Sequence, residues 1–559
     1  MAGSRLLRLV AVSLAAGQAA ALHPLGPWAG FGPRSDATAP GGPALAAVGP
    51  ERPRFKPHSL SVPVDHFHNE SKYEPHSHDS FNLRYWFDAA HYRRGGPVIV
   101  LHSGEAAGDE RLPFLEHGIL AMLARATHGI GLVLEHRYYG ASMPMPDTTV
   151  TNLRFLSTEQ ALADNAYFAR HVRFPGLDVS SDSAPFIIYG GSYAGAVAAL
   201  TRKLYPDAYW GAIASSGVPA AIDDYWQYLE AARHFAPGNC SSTVQVLTDI
   251  IDSMLLSGDR SRADAVKDLF GLKALRDDEF ASVISRGIMG LQATNWDPEE
   301  DSADFGIFCA TVSAGVPLFA STGHLGPAVR RAVAGAGYHG DADRLTAQML
   351  NYIGHVGRQT AKDRTRGCRG QSLRECYSMR FYSNSTAQGA GWLRSWTYQT
   401  CTQWGYYMTG SGVPRDRLPL VSRALSYDYA SVACRLQFNI TTRPDVESIN
   451  RLGGFNLSYP RLAFVDGAHD PWRQASPHAI GLEPRPSTPS EPFILVDPGV
   501  HHWDENGVRD EAQRRAGLPP KHIVEVQRQE VDFVRGWLEE WDGHRKRGRG
   551  LAAGAGQEL

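Results

Sequence analysis

The apolar run Pro185-Phe186-Ile187-Ile188-Tyr189 leads directly into Gly190-Gly191-Ser192-Tyr193-Ala194-Gly195 and then into the helix-prone Ala196-Val197-Ala198-Ala199-Leu200. This order reads as strand, sharp turn and helix. A chain that reverses so tightly brings two backbones into contact, so the residues around the turn must be small. The serine at its apex is lifted clear of the sheet, and its hydroxyl becomes available as a nucleophile. One position departs from the G-x-S-x-G form, because Ala194 stands where glycine would complete it. A glycine-rich loop before a helix has the same composition, so the turn needs chemical partners elsewhere in the chain.

Those partners appear downstream, in the order Ser, Asp, His. Leu462-Ala463-Phe464-Val465 leads into Asp466-Gly467-Ala468-His469-Asp470-Pro471-Trp472. Phe493-Ile494-Leu495-Val496 leads into Asp497-Pro498-Gly499-Val500-His501-His502-Trp503. A neutral histidine takes the serine proton and returns it to the leaving group, while a carboxylate fixes the imidazole tautomer. The fold expected is α/β, an α/β-hydrolase sheet with a helical, disulfide-stapled cap, and Ser192 is its nucleophile. The residues alone leave Asp466 and Asp470 as competing acids, and His501 and His502 as competing bases. Tyr193 supplies the first backbone N–H of an oxyanion hole, and the loop Ser103-Gly104-Glu105 supplies the second, at Gly104 or Glu105. Trp472 is either a pocket wall beside the acid or a core aromatic beneath its loop.

At 559 residues the chain is long enough for a large catalytic domain with an insertion. A formal charge of −3 argues against a nucleic-acid partner. Arg5 and Arg8, a short apolar core and Ala19-Ala20-Ala21 read as a secretory signal peptide, residues 1–21. No later stretch has the length of a membrane span. Sequons at Asn69, Asn239, Asn384, Asn439 and Asn456 agree with export. So do six cysteines, Cys240, Cys309, Cys368, Cys376, Cys401 and Cys434, gathered in one middle segment. Six cysteines allow 15 pairings. With no C-x-x-C pair and no histidine cluster of metal spacing, no metal and no cofactor are expected.

Residues 22–55, rich in Gly, Pro and Ala, read as a flexible mature N-terminus or pro-segment. Alternating strand-like and helix-like segments place the catalytic domain at 56–220 and 450–542. Val98–Leu101 and Gly131–Leu134 read as buried parallel strands flanking a helix around Phe114–Ala126. Amphipathic stretches such as Val244–Leu256 and Asp264–Leu275 mark a helical cap, taken as 221–449. Ile523–Trp541 reads as a surface helix, and 543–559 as a disordered tail.

Several further runs resemble one family, the serine peptidases that include lysosomal Pro-X carboxypeptidase, dipeptidyl peptidase II and thymus-specific serine protease. They are Val64-Asp65-His66-Phe67, Phe81-Asn82-Leu83-Arg84-Tyr85-Trp86, Glu135-His136-Arg137-Tyr138-Tyr139-Gly140-Ala141-Ser142, Leu153 to Asp164, Trp396-Thr397-Tyr398-Gln399-Thr400-Cys401, Asp470-Pro471-Trp472 and His501-His502. They run in the family's order from about residue 60 to about 505. The glycine- and proline-rich N-terminal segment and the variable insertion suggest a secreted fungal member.

The resemblance implies cleavage after proline through an acyl-enzyme, with Asp470 as the acid and His501 as the base. Carboxypeptidase, dipeptidyl-peptidase and endopeptidase action all stay open, as does a secreted carboxylesterase on the same fold. A compact, rigid proline ring suits an aromatic-lined pocket, for which Trp472, two residues after the acid, is the candidate wall. The resemblance also implies that Glu105 lies near the amine end of substrates in dipeptidyl members, and that Cys401 pairs with Cys434. Cys368–Cys376 and Cys240–Cys309 then follow by proximity. The expected partners are proline-containing peptides, with a homodimer left open, and the compartment is extracellular, lysosomal or vacuolar. Asp466-Gly467 in place of Asn-Gly, and Trp503-Asp504 in place of Leu-Asp, depart from the family pattern.

Overall fold

In the computed structural model the described residues are 54–384 and 391–555, with side chains described up to residue 381 and from 391 to 542. The expected signal peptide and almost all of the expected N-terminal segment lie outside them.

Eight strands form the main sheet: β1 (His58–Pro63), β2 (Ser80–Asp88), β3 (Val98–His102), β4 (Ile130–Leu134), β5 (Phe186–Gly191), β6 (Gly211–Ser215), β9 (Leu462–Gly467) and β10 (Phe493–Val496). Their spatial order is β1-β2-β4-β3-β5-β6-β9-β10. Strands β1, β2 and β4 pair antiparallel, and the rest of the sheet is parallel. The central strands are buried on both faces, which is why β3, β4 and β6 read as unbroken apolar runs rather than alternating ones. This is an α/β-hydrolase sheet with the elbow serine at the end of its central strand β5.

Local sequence explains where the helices stop. The helix anticipated around Phe114–Ala126 is split into Phe114–His117 and Ile119–Thr127. Gly118 separates them because a Cβ there would meet the Phe114 ring at 2.3 Å and the carbonyl oxygen of Glu505 at 2.9 Å. That carbonyl accepts the Ile119 N–H at 2.9 Å, tying the helix to the loop after the histidine pair.

Between β6 and β9 the chain is mostly helical. A small parallel ladder of β7 (Ile222–Asp224) and β8 (Gly405–Tyr407) pairs Ile222 with Gly405 and Asp224 with Tyr407, drawing the two ends of the helical run together. Three disulfides staple this region: Cys240–Cys309, Cys368–Cys376 and Cys401–Cys434. They close loops of 69, 8 and 33 residues, and the longest restricts the unfolded chain most.

The last helix, Lys521–Ala555, lays Trp537 against the sheet, where a Cβ on Gly211 would meet its ring at 2.7 Å. It continues past residue 543, where a disordered tail was expected. No described helix is long and apolar enough to cross a membrane. Asn69, Asn239, Asn439 and Asn456 are exposed, and the side chain of Asn384 lies outside the described residues.

Candidate active site

Strand β5 ends at Gly191, and the helix Tyr193–Leu204 starts one residue after Ser192. Ser192 has φ 59° and ψ −124°, a conformation that L-residues rarely hold without support from around them. That support is visible: its N–H donates to Ser215 O at 2.9 Å. A Cβ on Gly190 would sit 2.1 Å from Ala194 O, and one on Gly195 would sit 2.8 Å from the Gly217 Cα. Ala194 is tolerated because its methyl faces Gly104, where a second Cβ would approach it to 3.2 Å. The departure from G-x-S-x-G is thus matched by a glycine on the opposite loop.

Asp470 and His501 meet although they come from different strand ends. The Asp470 carboxylate accepts the Trp472 N–H at 2.9 Å through Oδ1 and lies 2.8 Å from His501 Nδ1 through Oδ2. Both residues are buried. Burial pushes His501 below the ordinary imidazole range, against the pull of Asp470. Its neighbour behaves differently. His502 also feels the downward push of burial, but Glu505, 3.1 Å from its Nδ1, lifts it above the ordinary range. The His502 N–H donates to Ser216 Oγ at 2.9 Å, seating the loop on the end of β6.

Asp466 does not join this pair. It lies 2.7 Å from Nδ1 of His478, whose ring stacks on Phe493 at 3.5 Å. Two buried aspartate–histidine pairs therefore stand at the end of β9.

The side chain of Tyr193 is held by residues of two sequence runs quoted above. Its hydroxyl lies 3.1 Å from His136 Nε2 and accepts from Gln399 Nε2 at 2.6 Å. His136 Nδ1 contacts the Arg137 carbonyl at 2.6 Å, and a carbonyl can only accept, so Nε2 is left to accept from Tyr193. Burial lowers His136 to about 4, consistent with this neutral tautomer. Arg137 grips Asp164 through two contacts of 2.6 Å. Glu135 accepts from Arg84 Nε and from the Gly108 N–H, both at 2.8 Å. On the facing loop the Gly104 N–H donates to His102 Nδ1 at 3.2 Å. Glu105 is half-buried, and burial raises its carboxyl.

Trp472 is buried in an aromatic cage: its ring centroid lies 5.0 Å from Tyr406, 5.5 Å from Tyr225, 5.5 Å from Tyr228 and 6.5 Å from His501. Gln292 Oε1 accepts from Trp472 Nε1 at 2.7 Å and from the Tyr228 hydroxyl at 3.0 Å. Nearby, Trp296 Nε1 donates to Trp503 O at 2.7 Å and Trp503 Nε1 donates to Thr294 O at 2.9 Å. Sequence reasoning missed Gln292, Trp296 and the three tyrosines, because nothing in the primary order brings a helical segment to the acid loop. It also missed Asp504, which accepts from Ser215 Oγ at 2.6 Å and from the Tyr189 hydroxyl at 2.7 Å. Burial pushes Asp504 up to about 6 and Glu530, on the last helix, well above the carboxylate range.

Comparison with known proteins agrees with this geometry. A family model described as Serine carboxypeptidase S28 matches residues 63–281 and 349–514. The chain is 45% identical over 492 residues to a probable extracellular serine carboxypeptidase of Arthroderma benhamiae, spanning 87% of this chain and 68% of that one. It is 28% identical over 458 residues to the thymus-specific serine protease of Mus musculus, spanning 80% and 81% of the two chains. Among solved structures it is similar to VinJ, at 10% identity and a TM-score of 0.30, over 85% of this chain and 98% of that one. With matched segments on both sides of the helical region, taking in the elbow, the acid loop and the histidine pair, the chain belongs to the serine carboxypeptidase S28 family.

Proposed function

We propose that this serine-type exopeptidase is exported and cleaves peptides after proline through an acyl-enzyme on Ser192. The observation that carries the reading is the buried Asp470–His501 contact, with His501 held neutral by burial at the end of the sheet that presents Ser192. In this mechanism Ser192 Oγ attacks the carbonyl carbon as its proton passes to His501 Nε2. Asp470, on Nδ1, stabilises the imidazolium so formed. Collapse of the tetrahedral adduct breaks the C–N bond, and His501 returns the proton to the departing amine. Water then attacks the ester by the same relay and releases the acid. The Tyr193 N–H and an N–H of the Gly104–Glu105 loop stabilise the oxyanion. The Gly104 N–H reaches His102 Nδ1 at 3.2 Å and the Glu105 N–H its own carboxyl, so either must be released to serve as the second donor.

The base is His501 rather than His502, since an imidazole lifted by Glu505 is protonated first and cannot accept the serine proton. Trp472, whose ring centroid lies 6.5 Å from that of His501, is the aromatic wall we assign to a compact, rigid, apolar proline ring. Signal peptide, catalytic segments at 56–220 and 450–542 and a cap at 221–449 complete the reading, with secretion as the destination and a lysosome or vacuole as the alternative.

Digestion of proline peptides with free and blocked ends, followed by mass spectrometry, tests this reading. Loss of a single C-terminal residue after proline supports carboxypeptidase action. Release of an N-terminal dipeptide instead assigns Glu105 to the substrate amine, and equal rates on proline and leucine peptides overturn the specificity. Ser192→Ala should lower turnover by roughly 10⁴ or more while leaving folding intact.

A further inference from the structure

The connection between β1 and β2 carries four histidines, His66, His68, His76 and His78. His66 is committed to the core: its Nε2 lies 2.8 Å from Asp164 Oδ1, within the Arg137 grip. Of the other three, His78 stacks on His68, and His68 and His76 gather near Asp65. That carboxylate is buried and fixed at one end, where Oδ1 accepts the Phe67 N–H at 2.9 Å and Gln160 Nε2 at 2.7 Å. Its second oxygen is turned toward His76 Nδ1 at 2.7 Å. The His68 ring lies 5.5 Å from that of His76 and stacks on His78 at 4.6 Å.

One ligand-capable atom from each of Asp65, His68 and His76 lies within 4.8 Å of the others. Tetrahedral donors at zinc distances sit roughly 3.4 Å apart. Rotation of the exposed His68 and a small outward shift of the partly exposed His76, whose Nδ1 now sits 2.7 Å from Asp65 Oδ2, bring the donors to that spacing without moving the buried carboxylate. Two imidazoles and one carboxylate suit zinc, copper or nickel rather than magnesium or calcium, which prefer all-oxygen shells. A lone aspartate–histidine contact is an ordinary ion pair; a second imidazole within reach of the same preset carboxylate is not required by packing.

We propose that Asp65, His68 and His76 bind one divalent transition-metal ion of the zinc class, with water in the fourth position. The ion takes the place of the hydrogen between Asp65 Oδ2 and His76 Nδ1, and the imidazole stays neutral by carrying its proton on Nε2 instead. Through Gln160 the same carboxylate reaches the helix Thr158–His171, so the ion pins the β1–β2 connection to that helix. The site lies at the β1 edge, with β2, β4 and β3 between it and β5, apart from the catalytic groups. The sequence carries no regular ligand spacing here, and this reading replaces the expectation of no metal.

Calorimetric titration of the untagged full chain with Zn²⁺ near neutral pH, with Co²⁺ absorption as a second probe, tests the site. The wild type should bind one ion saturably, and Zn²⁺ should raise its melting temperature. His68→Ala and His76→Ala, neither in the catalytic machinery, should each weaken binding by about tenfold or more and cancel the thermal shift. Binding should also fall in acid as the imidazoles protonate. His501→Ala reports on the catalytic histidine and should leave the stoichiometry unchanged. No saturable binding by the wild type, binding indifferent to both histidine substitutions, or binding lost in His501→Ala would each overturn the proposal.

Discussion

Two aspartate–histidine pairs stand at the end of β9, and they are nearly the same object: Asp470–His501 at 2.8 Å and Asp466–His478 at 2.7 Å, each through Nδ1 and each buried. What separates them is what surrounds the far side of each ring. His478 stacks flat on Phe493 at 3.5 Å, so one face is packed shut. His501 instead has His502 and the Trp472 cage as neighbours, and its loop is seated through His502 on β6, the strand beside the elbow. A buried carboxylate orienting an imidazole is therefore not by itself a mark of general-base chemistry. On the proposed reading only the Asp470–His501 pair serves the nucleophile.

The largest test of that contrast is a matched pair of amides. Asp470→Asn should lower kcat by roughly 10⁴ through the wrong imidazole tautomer. Asp466→Asn should change kcat less than about tenfold and act on thermal stability, as expected for a buried hydrogen bond. Kinetics of the two variants under one condition decide the matter, and a reversed ranking would exchange the roles of the pairs.

The aromatic neighbours sharpen the same contrast at a smaller scale. Trp472→Ala should cost roughly 1–3 kcal/mol of discrimination between proline and alanine peptides in kcat/KM. Phe493→Ala should leave that ratio unchanged and lower the melting temperature instead.

The pH profile separates the pairs more finely. Burial lowers His501, so it stays neutral in mild acid, and the acid limb of kcat/KM should lie below the ordinary imidazole value of 6.5. Asp470 raises the His501 value, so Asp470→Asn should carry the limb still lower in whatever activity remains. Asp466→Asn should leave the limb where it is.

The smallest expected effect lies behind the histidine pair. Asp504 and Glu530 are carboxyls whose folded values are raised, so the folded chain holds protons that the unfolded chain has released. Their stabilisation is complete below the unfolded carboxylate values near 4 and fades as pH rises through about 6 for Asp504 and beyond for Glu530. Glu530→Gln should therefore melt a few degrees above wild type near pH 8, with the gap closing near pH 4. A gap that widens in acid would contradict the burial argument.

Much of the catalytic strand end was legible because its signals are local. Unbroken apolar runs mark β3, β4, β5 and β9, and small residues mark the elbow because only they let two backbones touch. Which histidine Asp466 and Asp470 each meet was not local, since His478 lies in a proline- and serine-bearing loop that carries no periodic signal. The break at Gly118 was hidden in part for the same reason, since besides the Phe114 ring the carbonyl of Glu505, far along the chain, crowds that position. Tyr225, Tyr228 and Tyr406 carry no signal of their own in the sequence, and it is the β7–β8 ladder that draws their segments together.

Gln292 and Trp296 fall between 281 and 349, the stretch left unmatched by the family model, yet one holds the Trp472 indole and the other holds the residue after the histidine pair. On the proposed reading the matched segments contribute the reacting groups, and this stretch adjusts the walls around them. Grafting that segment from another S28 peptidase would then change which peptides fit while leaving the chemistry alone, provided that the exchange preserves a carbonyl acceptor for the Trp472 indole N–H and a donor for the Trp503 carbonyl.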